Sequence, residues 1–110
     1  MQIRELDLKE LYTVYDLVSQ LYNELTYNEF EDLIYDMKDM KYKMIGVMED
    51  DELITYAGVA IQTTLKDKRH LKVFELIVDK KYDEEKYEKI MKDYLKDYAN
   101  MGMCENILYV

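Results

Sequence analysis

Residues 71–110 read LKVFELIVDKKYDEEKYEKIMKDYLKDYANMGMCENILYV, and this stretch decides the fold. Leu71 to Val78 is rich in β-forming residues and reads as a strand. A charged connection follows. Tyr87, Ile90, Met91, Tyr94, Leu95, Tyr98 and Met101 then recur at helical spacing, which predicts one amphipathic helix from about Asp83 to Met101. Gly102 stands where a C-terminal cap belongs. Asn106 to Val110 is again a β-type run. Strand, helix and strand in this order form a βαβ unit, so the last two strands are expected to be parallel with a right-handed crossover.

Upstream, Leu53 to Leu65 is a long β-type run, with Gly58 marking a bulge or bend. Lys66 to His70 reads as a polar turn that joins it to the strand from Leu71 in a hairpin. Lys43 to Met48 reads as a strand before the four-carboxylate turn Glu49-Asp50-Asp51-Glu52. Nearer the N-terminus, Gln2 to Leu6 alternates in polarity and predicts a short strand. From Leu8 the period changes: Leu11, Val14, Tyr15, Val18, Leu21, Tyr22 and Leu25 form one helical stripe. Thr26 and Glu29 have capping-box spacing and open a second helix with Phe30, Leu33, Ile34 and Met37 on one face. The expected order is β-α-α-β-β-β-α-β, an α/β mixed sheet, and no linker divides the 110 residues into more than one domain.

Composition narrows the function classes. Hydrophobic residues make up 49% of the chain, enough for a core, and a domain of this size buries roughly two-thirds of its unfolded surface. One cysteine excludes a disulfide framework or a cysteine-based zinc site. No apolar run approaches the ~20 residues that span a bilayer. The N-terminus lacks the apolar stretch of a signal peptide, so the chain reads as cytoplasmic. Fifteen Lys and Arg face 24 Asp and Glu, for a net charge of −9. That balance argues against direct nucleic-acid binding, which draws its affinity from Lys and Arg. It favours a basic partner.

The element order, with the stretches MIGVMEDDELITYAGVAI, FELIVDKKY and MKDYLKDYANMGMCENILYV, resembles the GNAT superfamily of N-acetyltransferases. The resemblance runs over essentially the whole chain. It implies acetyl-CoA as cofactor and an amine, such as a protein lysine, as substrate. It also implies a general base at Glu75 on the fourth strand, and pairing of the Leu76, Ile77 and Val78 backbone with the pantetheine arm. The bland reading of Glu75 is a solvent-facing strand residue.

Two features depart from the family pattern. The family's Arg/Gln-x-x-Gly-x-Gly/Ala segment, which holds pyrophosphate on backbone N–H groups, falls here on Asp83-Glu84-Glu85-Lys86-Tyr87-Glu88, without a glycine. Either the segment is an ordinary helix start whose acids complement the macrodipole, or Lys80, Lys81, Lys86 or Lys89 reaches the phosphates as a point charge. The family also continues past the fifth strand with a helix and two strands that usually supply a tyrosine general acid. Nothing follows Val110, so the resemblance is to a shortened domain, and Tyr109 is read as a packing or edge residue. Two functions result: a non-catalytic or weakly catalytic binder or regulator of a basic protein partner, and an acetyl-CoA-dependent N-acetyltransferase.

Other candidates read as structural. His70 is the single histidine, expected to be solvated in its turn. Cys104 has no histidine near it in sequence and reads as small-residue packing. Glu49 to Glu52 lacks calcium-loop spacing and reads as a solvated turn. The 12 tyrosines and eight methionines fall largely on core stripes.

Asn106-Ile107-Leu108-Tyr109-Val110 is uncharged apart from the terminal carboxylate and would form a bare sheet edge that invites pairing. The sequence therefore predicts a two-fold homodimer through residues 106–110. Its interface should bury upward of roughly 1,000 Å². Sedimentation at micromolar concentration is expected to show a dimer; a monomer would mean that the edge is not self-complementary.

Overall fold

The computed structural model describes residues 1–110. Its strands are β1 (Gln2–Glu5), β2 (Lys43–Glu49), β3 (Glu52–Thr64), β4 (Lys68–Val78) and β5 (Asn106–Tyr109). Helices α1 (Leu11–Val18) and α2 (Tyr27–Met37) lie between β1 and β2, and α3 (Glu84–Met101) lies between β4 and β5. The five strands make one sheet in the order β1-β2-β3-β4-β5. The first four are antiparallel, and β4 and β5 are parallel, as a βαβ unit requires. The predicted order β-α-α-β-β-β-α-β is therefore the observed one.

The sheet has an apolar layer on each face. Leu11, Val14, Phe30 and Ile34 of α1 and α2 pack with Met44, Leu53, Tyr56 and Ile77. Tyr87, Met91, Leu95 and Ala99 of α3 pack with Ile45, Ile54, Val59, Leu71 and Val73 on the other face. Burial at every fourth residue of α3 is the stripe that the periodicity predicts. Its end differs: Met101, the last residue of α3, is exposed, since it lies about 200° around the helix from the buried Ala99.

Local chemistry sets the remaining boundaries. Thr26 Oγ1 accepts from the Glu29 amide at 3.2 Å, and Glu29 Oε1 accepts from the Thr26 amide at 3.0 Å, completing the expected capping box. The first helix is shorter than its apolar stripe. It stops at Val18, because residues 19–25 fold back so that Thr26 can cap α2; the Tyr15 hydroxyl holds this return by donating to the Leu25 carbonyl at 2.6 Å. Leu21 and Tyr22 are consequently half-exposed. The β3–β4 turn is also tighter than predicted. Lys68 to His70 pair with Thr64 to Gln62, so β4 starts at Lys68 and His70 is buried, not solvated. Its Nδ1–H donates to the Lys68 carbonyl at 2.9 Å, and that acceptor fixes the tautomer on this nitrogen. The turn between β2 and β3 places both Asp50 and Asp51 at positive φ, the backbone of a two-residue primed turn.

α3 ends on the expected cap residue, Gly102, whose amide donates to the Tyr98 carbonyl at 3.1 Å. Met103 donates to the Asn100 carbonyl at 3.1 Å and Cys104 to the Ala99 carbonyl at 2.9 Å, a Schellman closure. The left-handed residue in it is Met103, with φ 59°, and not Gly102, whose φ is −81°. Gly102 is small for another reason: a Cβ there would crowd Ile61, at 2.7 Å. Met103 is exposed and carries a side chain at a position that favours glycine. Met103→Gly is expected to raise stability by about 0.5–1 kcal/mol, read as a higher urea midpoint with an unchanged slope.

Candidate functional site

The site is built on the distal half of β4. From His70 to Val73 this strand is paired on both sides, with β3 and with β5. The Val110 amide makes the last contact on the β5 side, to the Val73 carbonyl at 3.0 Å. From Glu75 to Val78 only β3 pairs with it, which leaves one edge of Leu76, Ile77 and Val78 open.

A register slip sets where the side chains go. Gly58 pairs with Glu75 and Val59 with Val73, so Phe74 has no partner. The bulge predicted at Gly58 is present, with its extra residue on the facing strand. Before it, Leu71 and Val73 face α3; after it, Leu76 and Val78 face α3, while Ile77 packs toward α1 and α2. Glu75 is turned to the α1/α2 face as well.

There it meets two tyrosines. The Tyr42 hydroxyl donates to Glu75 Oε2 at 2.5 Å and lies 2.7 Å from the Tyr56 hydroxyl. Each phenol has one hydrogen, so Tyr56 donates to Tyr42 and Tyr42 to Glu75. Gly58 makes this possible, since a Cβ there would overlap both Tyr42 Oη and Glu75 Oε2. Burial pushes the Glu75 carboxyl above the usual carboxylate range, and the Tyr42 bond pulls it partly back. Burial also holds both phenols protonated well beyond neutral pH, with Tyr56 and then Glu75 adding to the effect at Tyr42. The solvent-facing reading of Glu75 is thus replaced by a largely buried, hydrogen-bonded carboxylate.

Glu75 borders two spaces. One is a cavity of about 290 Å³ under α1 and α2, bounded by Val18, Tyr22, Phe30, Leu33, Tyr42 and Tyr56 among others. The other, of about 210 Å³, lies in the opening between β4 and β5, with Leu76, Glu88, Lys92 and Tyr109 on its walls. Leu33, expected on the core face of α2, is half-exposed at the mouth of the first.

The start of α3 is an ordinary acidic cap. Asp83 Oδ1 accepts from the Lys86 amide at 3.2 Å, and Glu84 and Glu85 occupy the first turn. The lysines nearby have other company. Lys86 Nζ lies over the Tyr87 ring, Lys89 pairs with Asp93 at 2.8 Å, Lys92 with Glu88 at 2.8 Å and Lys81 with Glu52 at 3.0 Å. Glu75 shares a space with Lys92, but not with Lys86 or Lys89.

The remaining candidates have structural surroundings. Cys104 is half-buried beside the α3 core layer, and burial raises its thiol, the wrong direction for a nucleophile. Glu49 accepts from the Tyr87 hydroxyl at 2.6 Å, a bond that pushes this phenol up to about 12. Tyr109 sits at the sheet edge beneath Lys92 Nζ, 5.1 Å from its ring centre. Tyr42, Tyr56 and Tyr22 are the members that the sequence reading missed. They stand among 12 tyrosines, and only strand register distinguishes them.

No protein-family profile matches the sequence, and no curated protein matches it. Solved structures do match its fold. A GNAT family acetyltransferase from Staphylococcus aureus superposes with a TM-score of 0.82 at 10% identity, over 99% of this chain and 84% of that one. A ribosomal-protein-alanine N-acetyltransferase from Brucella melitensis gives 0.83 at 14% identity, over 99% and 78%. An aminoglycoside N-acetyltransferase in complex with CoA gives 0.80 at 13%, over 99% and 75%. The chain has the α/β fold of the GNAT acetyltransferases.

The raised Glu75 carboxyl has a consequence for stability. A group whose folded pKa lies above its unfolded value stabilises below the unfolded pKa, near ~4.3 for Glu. That contribution is lost as pH rises through the folded value. The groups facing Glu75 are Tyr22, Tyr42 and Tyr56 from the cavity and the Glu88–Lys92 pair from the opening. Glu75→Gln keeps an acceptor for Tyr42 and removes the charge. It is expected to be more stable than the parent at neutral pH, with the difference shrinking toward pH ~4. Thermal melts across that range check this; equal differences at both ends would contradict it.

Proposed function

We propose that this GNAT-fold chain is a non-catalytic or weakly catalytic binder, and through binding a regulator, of a basic protein partner. The observation that carries the reading is the start of α3. A pyrophosphate held there needs free backbone N–H groups and the positive end of the helix dipole. Asp83 already takes the Lys86 amide, and Glu84, Glu85 and Glu88 crowd the same turn. Each carboxylate within about 4 Å of a phosphate costs ~1 kcal/mol even at the dielectric of water.

The charge distribution supports a basic partner. Glu84, Glu85, Glu88 and Asp93 share one face of α3 with Lys89 and Lys92, and both lysines are already paired with carboxylates. With a net charge of −9, such a face attracts a basic surface and speeds its arrival. No helix is long and apolar enough to cross a membrane, and the reading places the protein in the cytoplasm. A second copy is the proposed cover for the outer edge of β5, where Tyr109 is half-exposed and Val110 exposed.

A second reading, acetyl-CoA-dependent transfer to an amine, is favoured by one feature: Glu75 borders the β4–β5 opening next to the unpaired edge of Leu76, Ile77 and Val78. There it would act as base, with that backbone holding the pantetheine arm and Lys86 or Lys89 reaching the phosphates. Thermal shift separates the readings. Acetyl-CoA at 100 times its Kd would stabilise a binding protein by about 2.7 kcal/mol. At millimolar concentration it is expected to leave the melting temperature unchanged. An upward shift that disappears in Lys86→Ala or Lys89→Ala would overturn the closed-cap argument and revive the enzyme reading.

A further inference from the structure

We propose that the end of the molecule formed by the β3–β4 turn and the α3–β5 turn docks on the anionic surface of a lipid bilayer. Leu65, Met101 and Met103 enter the lipid, and Lys66, Lys68 and Arg69 meet the headgroups. The contact lies at the interface and needs no spanning segment. It goes beyond the binder reading and is independent of it, since this surface lies apart from both Glu75 and the acidic face of α3.

Hydrogen bonds join the two turns into one platform. Thr64 Oγ1 accepts from the Asp67 amide at 3.0 Å, and Lys68 closes the hairpin with left-handed backbone at φ 56°. Arg69 Nε donates to the Gly102 carbonyl at 2.7 Å, and the Glu105 amide donates to the Arg69 carbonyl at 2.7 Å. The Asn106 side-chain amide donates to the Asp67 carbonyl at 3.0 Å. Leu65 opens the first turn, and Met101 and Met103 flank Gly102 at the second. Leu65 is fully exposed, Met101 is 86% exposed and Met103 82%. Turns are ordinarily made of small and polar residues, so three projecting apolar side chains on two joined turns call for a cover. Met103 is the sharper case, because it holds a left-handed position that glycine would occupy with less strain.

The charge beside them is opposite to that of the rest of the chain. Residues 66–72 carry Lys66, Lys68, Arg69 and Lys72 against Asp67, a local charge of +3 that leaves −12 on the remainder. None of these four cations is in an ion pair. Arg69 spends only Nε on Gly102 and keeps its other N–H groups for a headgroup. Lys72 lies over the Phe74 ring, farther from the tip. Glu105 is the one carboxylate that the α3–β5 turn adds. The acidic first turn of α3 is remote: 18 residues of helix place it ~27 Å away. That is well beyond the Debye length of ~8–10 Å, so the acidic remainder of the chain is largely screened when this end faces a membrane.

Shape selects the occupant. Projecting apolar side chains enter a bilayer without a complementary pocket, whereas a protein partner must supply a packed one. Nucleic acid would use the cations but not Leu65 or the methionines, and neither turn holds a tyrosine or phenylalanine on which bases could stack. An apolar tip beside unpaired cations matches the boundary at which hydrocarbon lies below anionic headgroups.

Vesicle flotation tests this with the full chain, using phosphatidylcholine alone and phosphatidylcholine with about 30% phosphatidylserine. Binding to the phosphatidylserine vesicles is expected at about 0.1 M salt and its loss at about 0.5 M. Lys66→Gln should weaken it about fivefold, as should Lys68→Asn, which tolerates the left-handed backbone. Leu65→Ser should weaken it about tenfold. Met103→Gly should weaken it while raising the urea midpoint, so that lost binding cannot be assigned to unfolding. The chain has no tryptophan, so Leu65→Trp supplies a single emission probe, expected to shift to the blue on the anionic vesicles. No binding to phosphatidylserine vesicles would overturn the proposal. So would equal binding to both vesicle types, unchanged binding in Leu65→Ser, or an unshifted Leu65→Trp emission. Binding of poly-glutamate with the same loss in Leu65→Ser would overturn it in favour of an acidic protein partner.

Discussion

Between Gly58 and Val59 on β3, and Glu75 and Val73 on β4, the facing strands differ by one residue, and Phe74 is left over. Strand side chains alternate with period two, so one extra residue exchanges the faces of everything after it. Without the slip, Glu75 would share a face with Leu71 and Val73 and enter the α3 core layer as a charge among aliphatic groups. With it, Glu75 reaches Tyr42, and Ile77 fills the layer under α1 and α2. The left-over Phe74 is not wasted: its ring packs 5.8 Å from that of Tyr42, on the residue that holds the carboxylate.

The same constraint explains why a carboxylate is tolerated there. A buried charge is costly unless hydrogen bonds hold it. Tyr56, Tyr42 and Glu75 form a relay in which each donor has a single acceptor, anchored on three segments of chain far apart in sequence. Gly58 is the space beneath them. In this way a bulge, a glycine and two phenols together make room for one acid, and the cavity beside it is a consequence of the gap between that acid and the two helices above.

The start of α3 shows the opposite economy. Asp83, Glu84 and Glu85 satisfy the helix from within the chain, through a side-chain cap and the macrodipole. A helix end satisfied in this manner has less to offer a bound anion. The two ends of the site thus differ in kind: on β4 an unpaired edge and a carboxylate held by Tyr42, and on α3 a closed and acidic cap. The fold is that of acetyltransferases, yet fold does not by itself carry chemistry.

Much of this was legible in the sequence. Periodicity determined the element order, the capping box at Thr26 and the core stripe of α3 through Tyr87, Met91 and Leu95, because these depend on residues within one or two turns of each other. The acidic start of α3 was legible for the same reason. Glu75 was found by resemblance, and Gly58 by its lack of a side chain. What the sequence could not supply was anything that depends on register. The burial of His70, the left-handed role of Met103 in place of Gly102, and the end of α1 at Val18 instead of Leu25 follow from how neighbouring segments meet. The partnership of Tyr42, Tyr56 and Glu75 joins residues up to 33 apart, and it exists only because one unpaired residue turns β4 over. Local spacing determines which face of an element is apolar. Only the assembled sheet decides which polar group that face will meet, since a one-residue slip costs little in sequence and reverses every contact beyond it.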